Sequence, residues 1–178
     1  MITLIIEDGN VVQDANSYTD IQFVDDIAEL EDEVTWLDCP EEDKVKAIVK
    51  ATKLIDTLFG PKMRGELYDS SQSLLYPRGS FMDSNNRLIE SKTIPNALLN
   101  ATAHAAIGFV NEDINFVEDD FEDSNIKKES FNVGSGAFSE SVEYFEKENK
   151  GSVSKQRVFK EIAPLLQLPS RQFSVVRG

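Results

Sequence analysis

Residues 40–61, PEEDKVKAIVKATKLIDTLFGP, decide how this chain folds. Val45, Ile48, Val49, Thr52, Ile55 and Phe59 recur at spacings of three and four, which predicts an amphipathic helix with one face turned to a core. Asp38 or Cys39 stands as its cap, and Pro40 falls in the first turn, where a missing N–H costs little. Glu41, Glu42 and Asp43 lie at the positive end of the helix dipole, and Gly60-Pro61 stops the helix. Lys46, Lys50 and Lys53 take the solvent side.

Working outward, a helix is expected on each side. Towards the N-terminus Ser17 reads as a cap, with Asp20 three residues on in an approximate capping box, followed by a stripe of Phe23, Val24, Ile27 and Leu30. Before it, residues 2–6 are β-prone and closed by the turn Glu7-Asp8-Gly9-Asn10. Towards the C-terminus, Thr93 caps a third helix with Pro95 in its first turn. Its Ala97, Ala101, Ala103, Ala105 and Ala106, with Leu98, Ile107 and Phe109, let another helix approach closely. A last helix over about residues 154–168 carries Val158, Phe159, Ile162, Leu165 and Leu166 on one face, with a kink or break after Ile162 at Pro164.

The stretches between are distinctive. Residues 61–93 look irregular around the apolar knot Leu74-Leu75-Tyr76-Pro77, and so long a loop points to a functional segment. In residues 126–145, Phe131 and Val133 alternate, Gly134-Ser135-Gly136 turns the chain, and Val142 and Tyr144 alternate on the return, a β-hairpin pattern. The expected fold class is mainly α, a small helical bundle with a β-hairpin and an extended C-terminal tail. Its parts are a helical core (1–111), an acidic connector (112–125), the hairpin (126–145), a C-terminal helix region (146–168) and a docking tail (169–178).

Charge excludes several functions. The 178 residues hold 32 acids against 18 bases, a net charge of −14, the wrong sign for a protein that grips phosphates over its whole surface. Between residues 25 and 43 there are ten acids and no base. From Lys150 onward there are six bases and one acid, Glu161, so an acidic body carries a basic tail. That tail is either merely solvated or docks on a partner of its own. Nucleic-acid binding calls for bases interleaved with aromatics, and only this end offers them: Lys155, Arg157, Phe159, Lys160, Arg171, Phe173 and Arg177. The competing reading is an amphipathic helix with a solvated basic face. The apolar segment 2–6 falls far short of a membrane span, and the N-terminus lacks the basic flank of a secretory signal, so a cytoplasmic origin is expected.

Catalytic constellations are sparse. His104 is the single histidine, in the alanine-rich helix, and reads as structural. Cys39 is the single cysteine and excludes an internal disulfide framework. Neither Gly-x-Ser-x-Gly nor a phosphate-cradling glycine motif occurs. Asp14-x-Asn16-x-Tyr18 opens like a calcium loop, but Thr19 stands where glycine is required. The run Glu118, Asp119, Asp120, Phe121, Glu122, Asp123 has acidic density without ligand spacing. The expectation is a protein that is not an enzyme and has no cofactor and no metal.

Several short motifs occur in a telling order: Asp14-Ala-Asn-Ser-Tyr18, Ala47 to Asp56, Arg64-Gly65, Gln72-Ser-Leu-Leu-Tyr-Pro-Arg78-Gly79, Ile94-Pro95, Lys127-Lys-Glu129 and Val142-Glu-Tyr144, then a Leu-Leu helix containing proline. In this order they resemble the head–tail connector (adaptor) proteins of tailed bacteriophages. Some members of that family carry the label DnaT-like single-stranded-DNA-binding protein. The resemblance covers roughly residues 5–168; members usually have Trp where Tyr76 stands, and the acidic segment after Val110 is longer here.

The resemblance implies a virion protein at the head–tail junction, made in the host cytoplasm. It implies a homo-oligomeric ring, typically of twelve copies, that meets the portal protein on one side and the next neck or tail protein on the other. DNA would cross its channel without specific binding, and Glu118, Asp119, Asp120, Glu122 and Asp123 are candidates for an acidic lumen. Arg171, Phe173, Val175, Val176 and Arg177 are the tail residues expected to meet the portal or a neighbour, by strand addition or in a groove. Tyr76, Pro77 and Arg78 form either a packed loop anchor or a subunit contact. The alternative function is a DnaT-like single-stranded-DNA-binding replication accessory.

Overall fold

A computed structural model describes residues 2–111 and 153–167. It contains helices α1 (Ile21–Leu30), α2 (Val34–Leu37), α3 (Glu41–Phe59), α4 (Asn96–Val110) and α5 (Val153–Ile162), with a two-stranded antiparallel hairpin of β1 (Phe81–Met82) and β2 (Leu88–Ile89). The chain is therefore mainly α with a small hairpin. The hairpin observed lies inside the 61–93 loop, in register Phe81 to Ile89 and Met82 to Leu88. Such two-residue strands are too short to announce themselves by alternation. The hairpin expected at 126–145, the connector at 112–125 and the tail at 169–178 lie outside the described residues.

The decisive helix spans Glu41–Phe59 and buries Ile48, Thr52, Ile55 and Phe59 of its predicted stripe, while Val45 and Val49 are half-buried. Ala47 and Ala51 widen the buried face, and so does Lys44, whose ammonium reaches Asp25 at 2.9 Å. The cap differs from expectation. Pro40 itself takes the N-cap place with no side-chain bond, so neither Asp38 nor Cys39 caps the helix. Instead, the N–H groups of both belong to the preceding turn, bonding Val34 O and Trp36 O. Pro95 does the same for α4, displacing Thr93.

At the N-terminus, α1 begins four residues after Ser17. Asp20 is the cap, accepting from Phe23 N at 2.8 Å. Ser17 Oγ is engaged with the Thr19 backbone on both sides, a local turn that competes with helix initiation. Val24 and Ala28 are buried one turn apart, but Leu30, two residues past Ala28, points to nearly the opposite face and is 84% exposed. Residues 2–6 form no strand; they contribute one bridge, Ile6 to Ser17. The short α2, which the sequence reading omits, exists to bury Trp36, whose indole N–H donates to Asp25 at 2.7 Å.

Helix α4 is the core element. It buries Leu98 and every residue from Ala101 to Gly108 and packs against α1, α3 and α5, as a helix that is apolar all round must. Its buried Thr102 hydroxyl donates to Leu98 O, so no polar group is stranded there. Helix α5 ends at Ile162, where Pro164 hands over to a 3-10 turn, Ala163–Leu165. Val158, Ile162, Leu165 and Leu166 are buried as expected, but Phe159 is 50% exposed.

Candidate functional site

The loop of residues 61–93 is anchored from within. The Asp56 carboxylate accepts from the Tyr18 hydroxyl at 2.6 Å and from Leu75 N at 3.1 Å, while Tyr76 N donates to the Tyr18 oxygen at 3.2 Å. Burial raises the Asp56 carboxyl above its usual range, although these hydrogen bonds oppose it, and burial also raises Tyr18 and Tyr76. The Arg78 guanidinium binds the carbonyls of Gly65 (2.5 Å), Met63, Arg64 and Leu75, and stands 5.7 Å from the Tyr76 ring centroid. Tyr76, Pro77 and Arg78 are all buried, so in this subunit they hold the loop rather than present a surface.

A second polar cluster joins α5 to the α1–α2 turn. Arg157 donates to Glu31 at 2.7 Å and to Glu33 at 2.9 Å. Buried His104 lies 3.6 Å from Glu31, and desolvation lowers its pKa against the opposing pull of that carboxylate. Arg157 belongs to this junction and is thereby withdrawn from the basic surface in which the sequence reading grouped it.

Of the rest of that group, Lys155, Phe159 and Lys160 lie among the described residues, on α5. Phe159 stacks in a tilted geometry on buried Phe59 at 6.3 Å between centroids, leaving half its ring surface to solvent. On α5, half-buried Lys155 precedes it by one helical turn and exposed Lys160 follows it directly. Exposed Lys62 lies on the 3-10 turn Gly60–Lys62 that follows Phe59, and its carbonyl accepts from Gln167 N at 2.6 Å, tying this turn to the end of α5's extension. Lys62 follows Phe59, the ring that Phe159 packs on, by three residues, a link to α5 that sequence spacing does not reveal. The described part of the C-terminal segment, residues 153–167, holds three bases and one acid. An exposed aromatic ring flanked by ammonium groups can stack on a planar ligand and pair with its anionic groups.

Other candidates resolve into structural roles. Asn16 accepts from Ile5 N and donates to Thr3 O, and Tyr18 serves Asp56, so the calcium-like start is spent on the fold. Cys39 borders a shallow groove of about 270 Å³ with Asp43, Lys46, Lys50, Phe109 and Val110, and burial raises its thiol pKa. Among the described residues no group of three or more His, Cys, Asp or Glu is placed to hold a metal ion, and no helix is long and apolar enough to cross a membrane. The acidic run 118–123 and the tail residues Arg171, Phe173, Val175, Val176 and Arg177 lie outside the described residues.

The described residues form a small helical domain that carries an exposed aromatic ring, Phe159, on the same helix as Lys155 and Lys160. The chain belongs to the family described as "Putative DnaT-like ssDNA binding protein", whose sequence model matches residues 2–178. No curated protein matches the chain, and no solved structure does.

Proposed function

We propose that this protein is a single-stranded-DNA-binding accessory protein and that its contact surface is the patch of Phe159, Lys155, Lys160 and Lys62. Membership of the DnaT-like family carries this reading. The patch supports it chemically. Phe159 offers a face on which a base stacks, the three lysines meet phosphates, and the net charge of −14 repels the strand from the rest of the surface. No step of this reading calls on catalysis.

Fluorescence anisotropy of a labelled oligothymidine, titrated at several salt concentrations, tests the proposal. Affinity should fall steeply with salt, with a log–log slope of about −0.7 per phosphate contacted. Phe159→Ala should weaken binding by about tenfold, since stacking on one base contributes roughly 1–3 kcal/mol. Binding that is absent at low salt, or indifferent to both salt and Phe159→Ala, would sink it.

A second reading is favoured by the acidity itself. A ring-forming head–tail adaptor, seated between a phage portal and the next neck or tail protein, gives DNA a channel that should repel rather than hold it. Ten acids without a base in residues 25–43 suit such a wall. Quantitative mass spectrometry of washed, DNA-filled virions decides this reading. Abundance near that of the portal protein supports it, and absence from virions removes it.

A further inference from the structure

Among the described residues two aromatic side chains are exposed, Phe159 at 50% and Tyr68 at 42%. Only the first belongs to the surface proposed above. Tyr68 lies in the 61–93 loop, next to Leu67, which is 43% exposed. The Lys92 ammonium stands 5.2 Å from the Tyr68 ring centroid, within cation–π range. In a chain with 32 acids and only 18 bases, each exposed ring thus has a lysine close by. Lys160 follows Phe159 directly in sequence, whereas Lys92 reaches Tyr68 from the far end of the loop.

The fold holds this pair in place from two sides. Tyr68 N donates to Pro77 O at 3.2 Å and Gly79 N to Glu66 O at 2.8 Å. Leu67 bridges Arg78, whose guanidinium binds the carbonyls of Met63, Arg64 and Gly65. Lys92 is fixed by a different device. It sits in the left-handed region at φ 62°, and its carbonyl packs against Gly9, where an added Cβ would come within 1.9 Å. Ser91 N, just before it, donates to Ser80 Oγ at 3.0 Å. Asp69, the acid next to Tyr68, is engaged locally: its carboxylate accepts from Ser71 N at 2.8 Å and from Ser71 Oγ at 2.6 Å. A ring and an ammonium held before a ligand arrives lose little freedom on binding. The ring offers a face to a planar base and the ammonium a partner to a phosphate, the same chemistry as at Phe159.

The chain bounds how far apart the two rings can be. Phe59, on which Phe159 packs at 6.3 Å, precedes Tyr68 by nine residues. Even a fully extended chain between them spans only about 32 Å. Single-strand sites cover about 4–16 nucleotides, and the longer of these, at no less than about 3.4 Å per nucleotide, reach that far. We propose that Tyr68 and Lys92 form a second stacking platform for single-stranded DNA, engaged by the same strand that stacks on Phe159. The inference rests on the single-stranded-DNA reading above and adds to it the body of the 61–93 loop, of which that reading uses only Lys62.

Photocrosslinking of the full-length protein to an iododeoxyuridine-substituted oligothymidine of about 16 nucleotides tests the proposal directly. Mass spectrometry of the digested adduct should place a crosslink on Tyr68. In anisotropy titrations with an oligothymidine of the same length, Tyr68→Ala should weaken binding about tenfold, as loss of one stacked base does. Tyr68→Phe, which keeps the ring, should bind like the parent. Lys92→Asn, whose new side chain tolerates the left-handed backbone, should make the log–log salt slope shallower by about 0.7. Suppose the parent and Phe159→Ala behave as the DNA reading requires. Tyr68→Ala binding like the parent, or the absence of an adduct on Tyr68, then overturns this inference and leaves that reading standing. A loss that Tyr68→Phe shares with Tyr68→Ala also overturns it, since the ring is then not the contact. A parent that binds no oligothymidine removes both.

Discussion

Tyr18 and Tyr76 are alike by residue type but differ once their hydroxyls are traced. Tyr18 donates to Asp56 and accepts from Tyr76 N, so it is a working member of a buried network. The Tyr76 hydroxyl is buried with no hydrogen-bond partner among the described residues. Tyr18→Phe should cost about 1–3 kcal/mol in chemical denaturation, because it strands the Asp56 carboxylate and the Tyr76 N–H. Tyr76→Phe should be neutral or stabilising, because it removes a polar group that gains nothing from burial. Equal losses for the two variants would refute the network as drawn. Gly9 is the other position where chemistry leaves one choice. Its φ is 101° and an added Cβ would sit 1.9 Å from Lys92 O, so Gly9→Ala should destabilise by about 2 kcal/mol or more.

At the scale of elements, the junction of α4, α5 and the α1–α2 turn is where electrostatics matter. Arg157 couples α5 to Glu31 and Glu33 across more than a hundred residues of sequence. Arg157→Ala should cost about 1–3 kcal/mol, and hydrogen exchange should show the loss concentrated in α5. His104 shares this junction with Glu31, Glu33, Arg157 and Glu161, and its folded pKa is lowered from 6.5, chiefly by desolvation. The unfolded chain therefore binds the proton more readily. The stability that neutral His104 contributes is complete above pH 6.5 and is lost as pH falls from there through the lower folded value. His104→Gln should flatten that dependence in denaturation curves taken between about pH 7 and pH 5. An unchanged pH dependence would place the titrating group elsewhere.

The same scale shows how far a linear pattern can be read. The 3.6-residue periodicity of α3 locates that helix within a residue or two, and Pro164 correctly marks the break after Ile162. Starts are less legible. Ser17, Thr93, Asp38 and Cys39 are all acceptable caps by residue type, but α1 takes Asp20, while α3 and α4 begin directly after prolines. Residue preference alone does not say which of several eligible groups has an orphan N–H within reach. Phe159 and its neighbouring lysines were visible as a cluster of bases and aromatics, yet Arg157 leaves that cluster for Glu31 and Glu33, for reasons that only packing supplies.

For the whole molecule, the net charge of −14 is the dominant fact. Self-repulsion opposes the compact state, so moving from about 10 mM to about 150 mM salt, which shortens the screening length from about 30 to about 8 Å, should raise the melting temperature. A rise of about 2–4 °C accompanies each kcal/mol of repulsion relieved in a chain of this size. A falling melting temperature would mean that pairs such as Arg157 with Glu31 outweigh the general repulsion. Composition and periodicity by themselves determined the mainly helical class, the amphipathic α3, the close-packing α4 and the contrast between acidic body and basic end, because each is a property of local spacing or of summed charge. Only the tertiary structure decided that Arg78 is spent inside the loop, that Leu30 faces out, and that Phe159 lies half-exposed on Phe59. Which partner a side chain finds depends on elements far apart in the chain meeting in space, and no spacing rule encodes that distance.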